Sequence, residues 1–219
     1  MKNLVWFRND LRLHDNPALS HACTKADQVV GIYIVTFKQW EEHNDSPNKI
    51  AFWFRSLIEL QKDLHKLNIP LCILKCDTYD DCPQKILEFA SANEIHNLYF
   101  NIEYPVNELK RDEQVQAVLE KMGTSCFSFH DQVIHVPGTL KTKAGTNFSV
   151  YSPFKRCWLA ELDYALLEEH AIPTIKQPVS VNQQDEYDLH SYKQSNINQD
   201  LWPVGEESIQ KMIVNFLDR

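Results

Sequence analysis

Arg8, Asp10 and Arg12 alternate directly after the apolar run NLVWF at 3–7. Two guanidiniums flanking a carboxylate at the end of a strand can form ion pairs that hold the loop and a neighbouring domain, or they can present charge to a ligand. Position alone leaves both readings open. Asp15 or Asn16, followed by Pro17, supplies the cap and first position of a helix, so part of the loop is helix-start chemistry.

Elsewhere the reactive residue types carry no motif. Five glycines without GxGxxG or GxxxxGK[ST] spacing argue against the backbone phosphate cradles of dinucleotide and P-loop enzymes. There is no GxSxG elbow, no HExxH and no DxDxDG loop. The cysteines, Cys23, Cys72, Cys76, Cys82, Cys126 and Cys157, form no CxxC pair and no zinc-finger spacing with histidine. They read as reduced, buried thiols rather than as a metal site. A formal net charge of −8 disfavours attraction to a phosphate backbone, so these residues are expected to contribute little to any DNA binding. Nothing reads as a self-contained catalytic site.

A charged loop of this kind needs a frame, and the chain offers an alternating one. The runs NLVWF (3–7), QVVGIYIV (28–35), LCILK (71–75), LYFN (98–101) and SCFSF (125–129) have the apolar, branched or aromatic composition of strands buried on both faces. Helical spacing separates them at 17–26, 47–67, 81–92 and 108–121. In the longest of these Ser46 can cap, Pro47 suits the first position, and Ile50, Phe54, Leu57, Leu64 and Leu67 share one face. Such alternation with right-handed crossovers predicts an α/β fold: a doubly wound, five-stranded parallel sheet, Rossmann-like, in the order 3-2-1-4-5. Ligands of doubly wound sheets sit at the carboxyl ends of the strands, which is where the Arg8 loop falls.

Beyond His130 the texture changes. Isolated Pro and Gly, the turn cluster TKAGTN, a short helix beginning near Pro153 and a polar stretch at 177–199 read as a long connection packed against something larger. An amphipathic segment follows Pro203, with Ile209, Met212, Ile213, Phe216 and Leu217 at helical spacing. The expected division is an α/β domain at 1–131, a linker at 132–204 and, at 205–219, the first helix of a truncated helical domain. The segment beyond Val136 is expected to exchange amide hydrogens faster than the sheet, because its partner surface is missing. At 219 residues with 43% hydrophobic and 24% charged, and no apolar run near the roughly 20 residues that span a bilayer, a soluble protein with one sizeable core is expected. The N-terminus runs from Met1, Lys2 and Asn3 straight into a strand pattern without a signal peptide, which points to the cytoplasm.

Four stretches at consistent spacing say more than the generic motifs. They are WFRNDLRLHDNPAL (6–19), KQWEEHNDSP (38–47), FNIEYPVNELKRD (100–112) and VYSPFKRCWL (150–159). Together they resemble the DNA photolyase and cryptochrome family, closest to class I cyclobutane-dimer photolyases with a folate antenna. The resemblance implies an N-terminal antenna-binding domain and its linker, ahead of an FAD-binding helical domain. It also implies methenyltetrahydrofolate at the rim between the two domains, at positions matching His43, Asn107 and Glu108. A pterin presents an amino group and a ring nitrogen side by side, and one carboxylate can accept both, which suits Glu108. Asn107 can donate and accept at once, and His43 offers a flat polar surface. Each has a plainer reading. Asn107 as a helix cap and Glu108 in a first turn need no ligand, and His43 can be an ordinary surface histidine. Tyr104 either packs at the pocket or anchors its loop. Trp6, Trp40, Trp53, Trp158 and Trp202 are assigned to core or interface.

The activity implied is light-driven splitting of cyclobutane pyrimidine dimers by electron transfer from reduced FAD. FAD and damaged DNA fall by resemblance to the region after Arg219. These residues alone are therefore expected to be monomeric, to lack repair activity and FAD, and to bind folate weakly or not at all. A cryptochrome photoreceptor shares the resemblance. A stand-alone nucleotide-binding module of the universal-stress or electron-transfer-flavoprotein kind is a third reading, against which the absent glycine loop stands. A deeper cleft beside Arg8 and Asp10 is the alternative antenna position, since flavin and deazaflavin antennas occupy such a cleft in related enzymes.

Overall fold

The computed structural model describes residues 1–163, 167, 169–182, 187–192 and 196–218. Each branched or aromatic run is a strand: β1 (Lys2–Trp6), β2 (Gln28–Thr36), β3 (Leu71–Cys76), β4 (Asn97–Asn101) and β5 (Ser125–Phe129). All neighbours are parallel, and the order is β3-β2-β1-β4-β5, as the alternation predicts. The order reverses between β1 and β4, so the loops leaving these two strands face each other across the switch point.

The helices are α1 (Pro17–Lys25), α2 (Phe37–Glu42), α3 (Pro47–Lys66), α4 (Cys82–Ala92), α5 (Val106–Met122), α6 (Tyr151–Ala160) and α7 (Glu206–Leu217). Start signals in the sequence decide several boundaries. Asn16 caps α1 by accepting from the Leu19 amide at 3.1 Å, while Asp15 takes a left-handed φ of 52° that turns the loop into the helix. Ser46 caps α3 through the Asn48 amide. Helix α5 departs from expectation. Its cap position is Pro105, so Asn107 lies within the first turn and does not cap. Gly123 ends it with a φ of 89°, a conformation open to glycine. The short helix α2 is not anticipated by periodicity, because one and a half turns carry too few residues to display it.

Alternation along the strands divides the core between two faces. Val5, Phe7, Tyr33 and Val35 pack with Leu19 of α1 and with Phe54, Leu57 and Leu64 of α3. Leu4, Trp6, Ile32 and Leu74 face the other way, against Ile86 and Phe89 of α4 and Val115 and Leu119 of α5. Gly31 in β2 is required by this packing. An added Cβ would lie 3.0 Å from side-chain carbons of both Leu71 and Phe7.

The connection after β5 does not lack a partner surface along its whole length. It returns to the α/β domain: the Asp15 amide bonds the His170 carbonyl, the Lys176 amide bonds Leu67, and the Gln177 amide bonds Asp27. Further on, the Asn182 amide bonds the Asn93 side chain, and the Tyr187 amide bonds the Ile73 carbonyl on the outer edge of β3. Leu189 is buried with the α3 core, and Tyr187 and Tyr192 pack on Phe37 and Phe54. The expectation of a partnerless segment is thus corrected for residues 170–182 and 187–192. The physical reason is that edge strand β3 and the α3 face offer unpaired backbone and apolar surface that a polar-looking sequence still covers. In α7 the residues Ile209, Met212, Ile213, Phe216 and Leu217 are exposed. Among the described residues no helix is long and apolar enough to cross a membrane.

Amide exchange at Lys176, Gln177 and Tyr187 should therefore be markedly slower than at residues 147–149, as measured by hydrogen–deuterium exchange of this chain. Leu189→Ala should lower stability by about 2 kcal/mol in urea unfolding, because it removes an anchor buried against α3.

Candidate functional site

At the switch point, side chains stand where other doubly wound proteins place glycine backbone. Arg8, Glu103, Arg111 and Asp112 are buried together. Arg8 Nη1 donates to both oxygens of Asp112 at 3.0 Å. Arg111 Nη2 donates to Glu103 at 2.9 Å and to Asp112 at 2.8 Å, and its Nε adds a third bond to Asp112. Burial alone would favour a neutral Arg111, but Asp112 and Glu103 outweigh it and hold the guanidinium protonated.

Aromatic rings supply the remaining walls. The Arg8 guanidinium lies 4.7 Å from the Trp6 ring centre and 4.9 Å from that of Phe100. Arg111 lies 4.7 Å from Trp6 and 4.7 Å from Tyr79. The order Phe100, Arg8, Trp6, Arg111, Tyr79 therefore alternates ring and cation from the core outward, a use for which the planar, weakly hydrated guanidinium is suited. Among the described residues Nε and Nη2 of Arg8 make no hydrogen bond, and Nε faces Glu103 at 3.7 Å.

Asp10 serves the backbone instead. It accepts from the Arg8 amide at 2.8 Å and from Asn101 Nδ2 at 2.6 Å, and Asn101 in turn donates to Asn16 and accepts from the Ala18 amide. Burial pushes the Asp10 carboxyl up, and the Arg8 charge and these donors oppose it. Arg12 pairs with Asp131 at 2.6 Å. Of the two readings the sequence left open, the structure shows ion pairing within the domain: Arg8 pairs with Glu103 just beyond β4 and with Asp112 of α5, and Arg12 pairs with Asp131.

Above this network lies a cleft lined by Tyr33, Trp40, Trp53, Tyr79, Glu103 and Arg111, with a volume of about 40 Å³. Ligand pockets usually occupy about 300–1,000 Å³, so no ring system fits here without side-chain movement. The accessible polar surface is the rim. His43 is the exposed C-cap of α2, with Nε2 2.9 Å from Gln39 Nε2 and its ring edge-on to Tyr79 at 6.1 Å. The Tyr79 amide donates to Gln39 Oε1, and its hydroxyl donates to Glu108 Oε1 at 3.3 Å. Burial raises the Tyr79 phenol, with Arg111 opposing, so it remains a donor. His43 and Glu108 are thus brought to one rim through Tyr79. Glu108 is half-buried, and its Oε2 has no hydrogen-bond partner among the described residues. Asn107 is exposed beside it, without a side-chain hydrogen bond among the described residues. Tyr104 takes the loop-anchor reading, stacked on His130 with its hydroxyl 2.8 Å from Nδ1. Trp6 and Trp40 are buried, Trp53 packs on Trp40, Trp158 lies edge-on to His135, and Trp202 is exposed near Phe52. Among the described residues no His, Cys, Asp and Glu group is placed to hold a metal.

With this geometry in hand, comparison with known proteins is decisive: a family model for DNA photolyase matches residues 3–177. The chain belongs to the DNA photolyase family. It is 33% identical to the deoxyribodipyrimidine photo-lyase of Buchnera aphidicola from Acyrthosiphon pisum over 98% of this chain and 44% of that protein. Against the Escherichia coli K12 deoxyribodipyrimidine photo-lyase the identity is 33%, over 94% of this chain and 43% of the other. A class III photolyase of Agrobacterium tumefaciens superposes with a TM-score of 0.82 at 25% identity, over 99% of this chain and 44% of that one. The chain thus spans less than half the length of the relatives it matches.

Within this photolyase domain, sequence reading passed over Tyr79, Glu103, Arg111 and Asp112. Glu103, Arg111 and Asp112 lie inside the quoted stretch FNIEYPVNELKRD, and the rule that sites form at strand ends pointed to Glu103, just beyond β4. Asp112 is the acceptor shared by both arginines. Asp112→Ala should destabilise the domain by about 3–5 kcal/mol in chemical denaturation, since it leaves buried guanidinium N–H groups uncompensated.

Proposed function

We propose that residues 1–131 form the antenna-binding domain of a deoxyribodipyrimidine photo-lyase that uses light to repair cyclobutane pyrimidine dimers in DNA. Residues 132–204 are then the linker, and 205–219 begin the helical domain to which we assign FAD and damaged DNA. Relatives at 30% identity or more carry the photo-lyase name, which favours repair over the cryptochrome reading. The side-chain-filled switch point, without a backbone cradle, weighs against a nucleotide-binding module.

The observation that carries the antenna reading is the half-buried Glu108 carboxylate, with one oxygen held by Tyr79 and the other without a partner among the described residues, on the same rim as His43. A carboxylate so placed fits the adjacent donors of a pterin edge, and the cleft of about 40 Å³ beneath argues for the rim over the deeper position. We therefore assign methenyltetrahydrofolate to His43, Asn107 and Glu108, with QWEEHN and YPVNE supporting the class I reading. Bound there, the folate would absorb near-UV or blue light and pass the excitation to a flavin. Glu108 accepts the paired donors, Asn107 meets the mixed edge, and His43 offers its ring face. Tyr79 holds Glu108 in place.

In the full-length enzyme, Glu108→Gln keeps the shape but removes charge assistance, and should weaken folate binding by about 1–3 kcal/mol. Near-UV absorbance at limiting folate should fall in Glu108→Gln and in His43→Ala, while repair driven directly through the flavin persists. Full absorbance in both variants would move the antenna to the cleft beside Arg8 and Asp10.

A further inference from the structure

Charge is segregated along this chain. Its formal net charge is −8, yet residues 132–160 contain Lys141, Lys143, Lys155 and Arg156 and no aspartate or glutamate. All four cations are exposed, and among the described residues none pairs with a carboxylate. The same segment encloses a hollow of about 580 Å³, walled by Ile134, His135, Val136, Phe148, Phe154 and Trp158. Contacts within the segment hold these rings. His135 Nε2 donates to the Trp158 carbonyl at 3.1 Å with its ring edge-on to the indole at 5.2 Å, and Phe148 meets Phe154 edge-on at 5.9 Å. The cations border the hollow. Lys141 Nζ donates to Asn147 Oδ1 at 2.6 Å, and Asn147 lines the hollow. Lys143 sits in the adjoining turn, which Thr142 and Thr146 close through backbone and hydroxyl bonds. In α6, Tyr151, Phe154, Lys155 and Trp158 are three- and four-residue neighbours, so an exposed tyrosine and a lysine flank the two rings of the hollow.

We propose that residues 132–160 bind single-stranded nucleic acid, with one unstacked base in the aromatic hollow and backbone phosphates on Lys141, Lys143 and Lys155. Every base has a flat face that stacks on aromatic rings, and successive phosphates meet separate ammonium groups. The absence of carboxylates from the segment removes the repulsion that the chain's net charge would otherwise impose on a polyanion. A volume of about 580 Å³ lies within the range of ligand sites, about 300–1,000 Å³, and admits a nucleobase. A base held in a duplex stack cannot enter it without being turned out, at a cost of a few kcal/mol, so the surface selects single strands over duplex. An acidic peptide would meet the lysines but leave the aromatic walls unfilled. The surface is separate from the rim of His43 and Glu108, and it stands or falls without the antenna assignment.

The test is fluorescence anisotropy of a fluorescein-labelled oligothymidylate titrated with the folded chain, between about 50 mM and about 200 mM salt, with tryptophan fluorescence followed in parallel. Binding should fall with salt on a log–log slope of about −2, as three phosphate contacts on a single strand require. Lys143→Glu and Lys155→Glu should each weaken it about tenfold at the lower salt, and Phe154→Ala by about fivefold or more. Lys66→Glu, a matched charge reversal on α3, should change it by less than about twofold. The strand should quench tryptophan fluorescence, and Trp158→Phe should abolish the quenching. The proposal is overturned by no binding at the lower salt, by equal affinity for a polyglutamate peptide or for a blunt duplex of the same length, or by unchanged binding in both lysine variants and in Phe154→Ala.

Discussion

Two buried guanidiniums stacked on Trp6 and tied to Glu103 and Asp112 are the constraint on which the rest of the domain turns. Removing such charges from water is costly, and breaking one partner leaves the other uncompensated, so the four groups persist only as a completed set. Completion requires β1, β4 and α5 to meet at one register. That register places the loops after β1 and β4 face to face at the switch point. Charged and aromatic side chains therefore fill the switch point in this doubly wound domain.

The consequences run outward along the ring and cation ladder. Tyr79 rests on Arg111, and its hydroxyl reaches Glu108 while its ring meets the edge of His43. A rim assembled from the end of α2, the turn after β3 and the first turn of α5 thus inherits its geometry from the buried ions beneath it. Support of this kind fixes the orientation of the Glu108 carboxylate.

The far side of the domain is governed by a different need. Strand β3 is an edge, and its outer backbone groups would be open to pairing with another chain. The returning segment meets that need with the Tyr187 amide on Ile73, while Leu189 and two tyrosines cover apolar surface of α3. Polar composition at 177–199 reads as a free connection because the few apolar anchors, Val179, Val181, Tyr187 and Leu189, have no period to reveal them.

The sequence by itself determined the strands, their parallel order, the cap at Ser46 and the membership of the family, and it narrowed the α1 cap to Asp15 or Asn16. Each of these rests on local periodicity, short-range hydrogen bonding or contiguous motif. It also marked His43 and Glu108, though only through resemblance. Tertiary structure alone decided that Arg8 pairs with Asp112, that Arg111 is shared between Glu103 and Asp112, and that Tyr79 joins the two rim residues. It decided as well that Asn107 sits inside α5 rather than capping it, because Pro105 takes the cap position. Ion pairs between residues 8 and 112 depend on how strands are ordered and how far each helix extends past its strand, and neither a charge nor a ring announces its partner across such separations. Burial in a low-dielectric interior is what makes those pairings obligatory, and burial exists only once the sheet and its helices have closed over them.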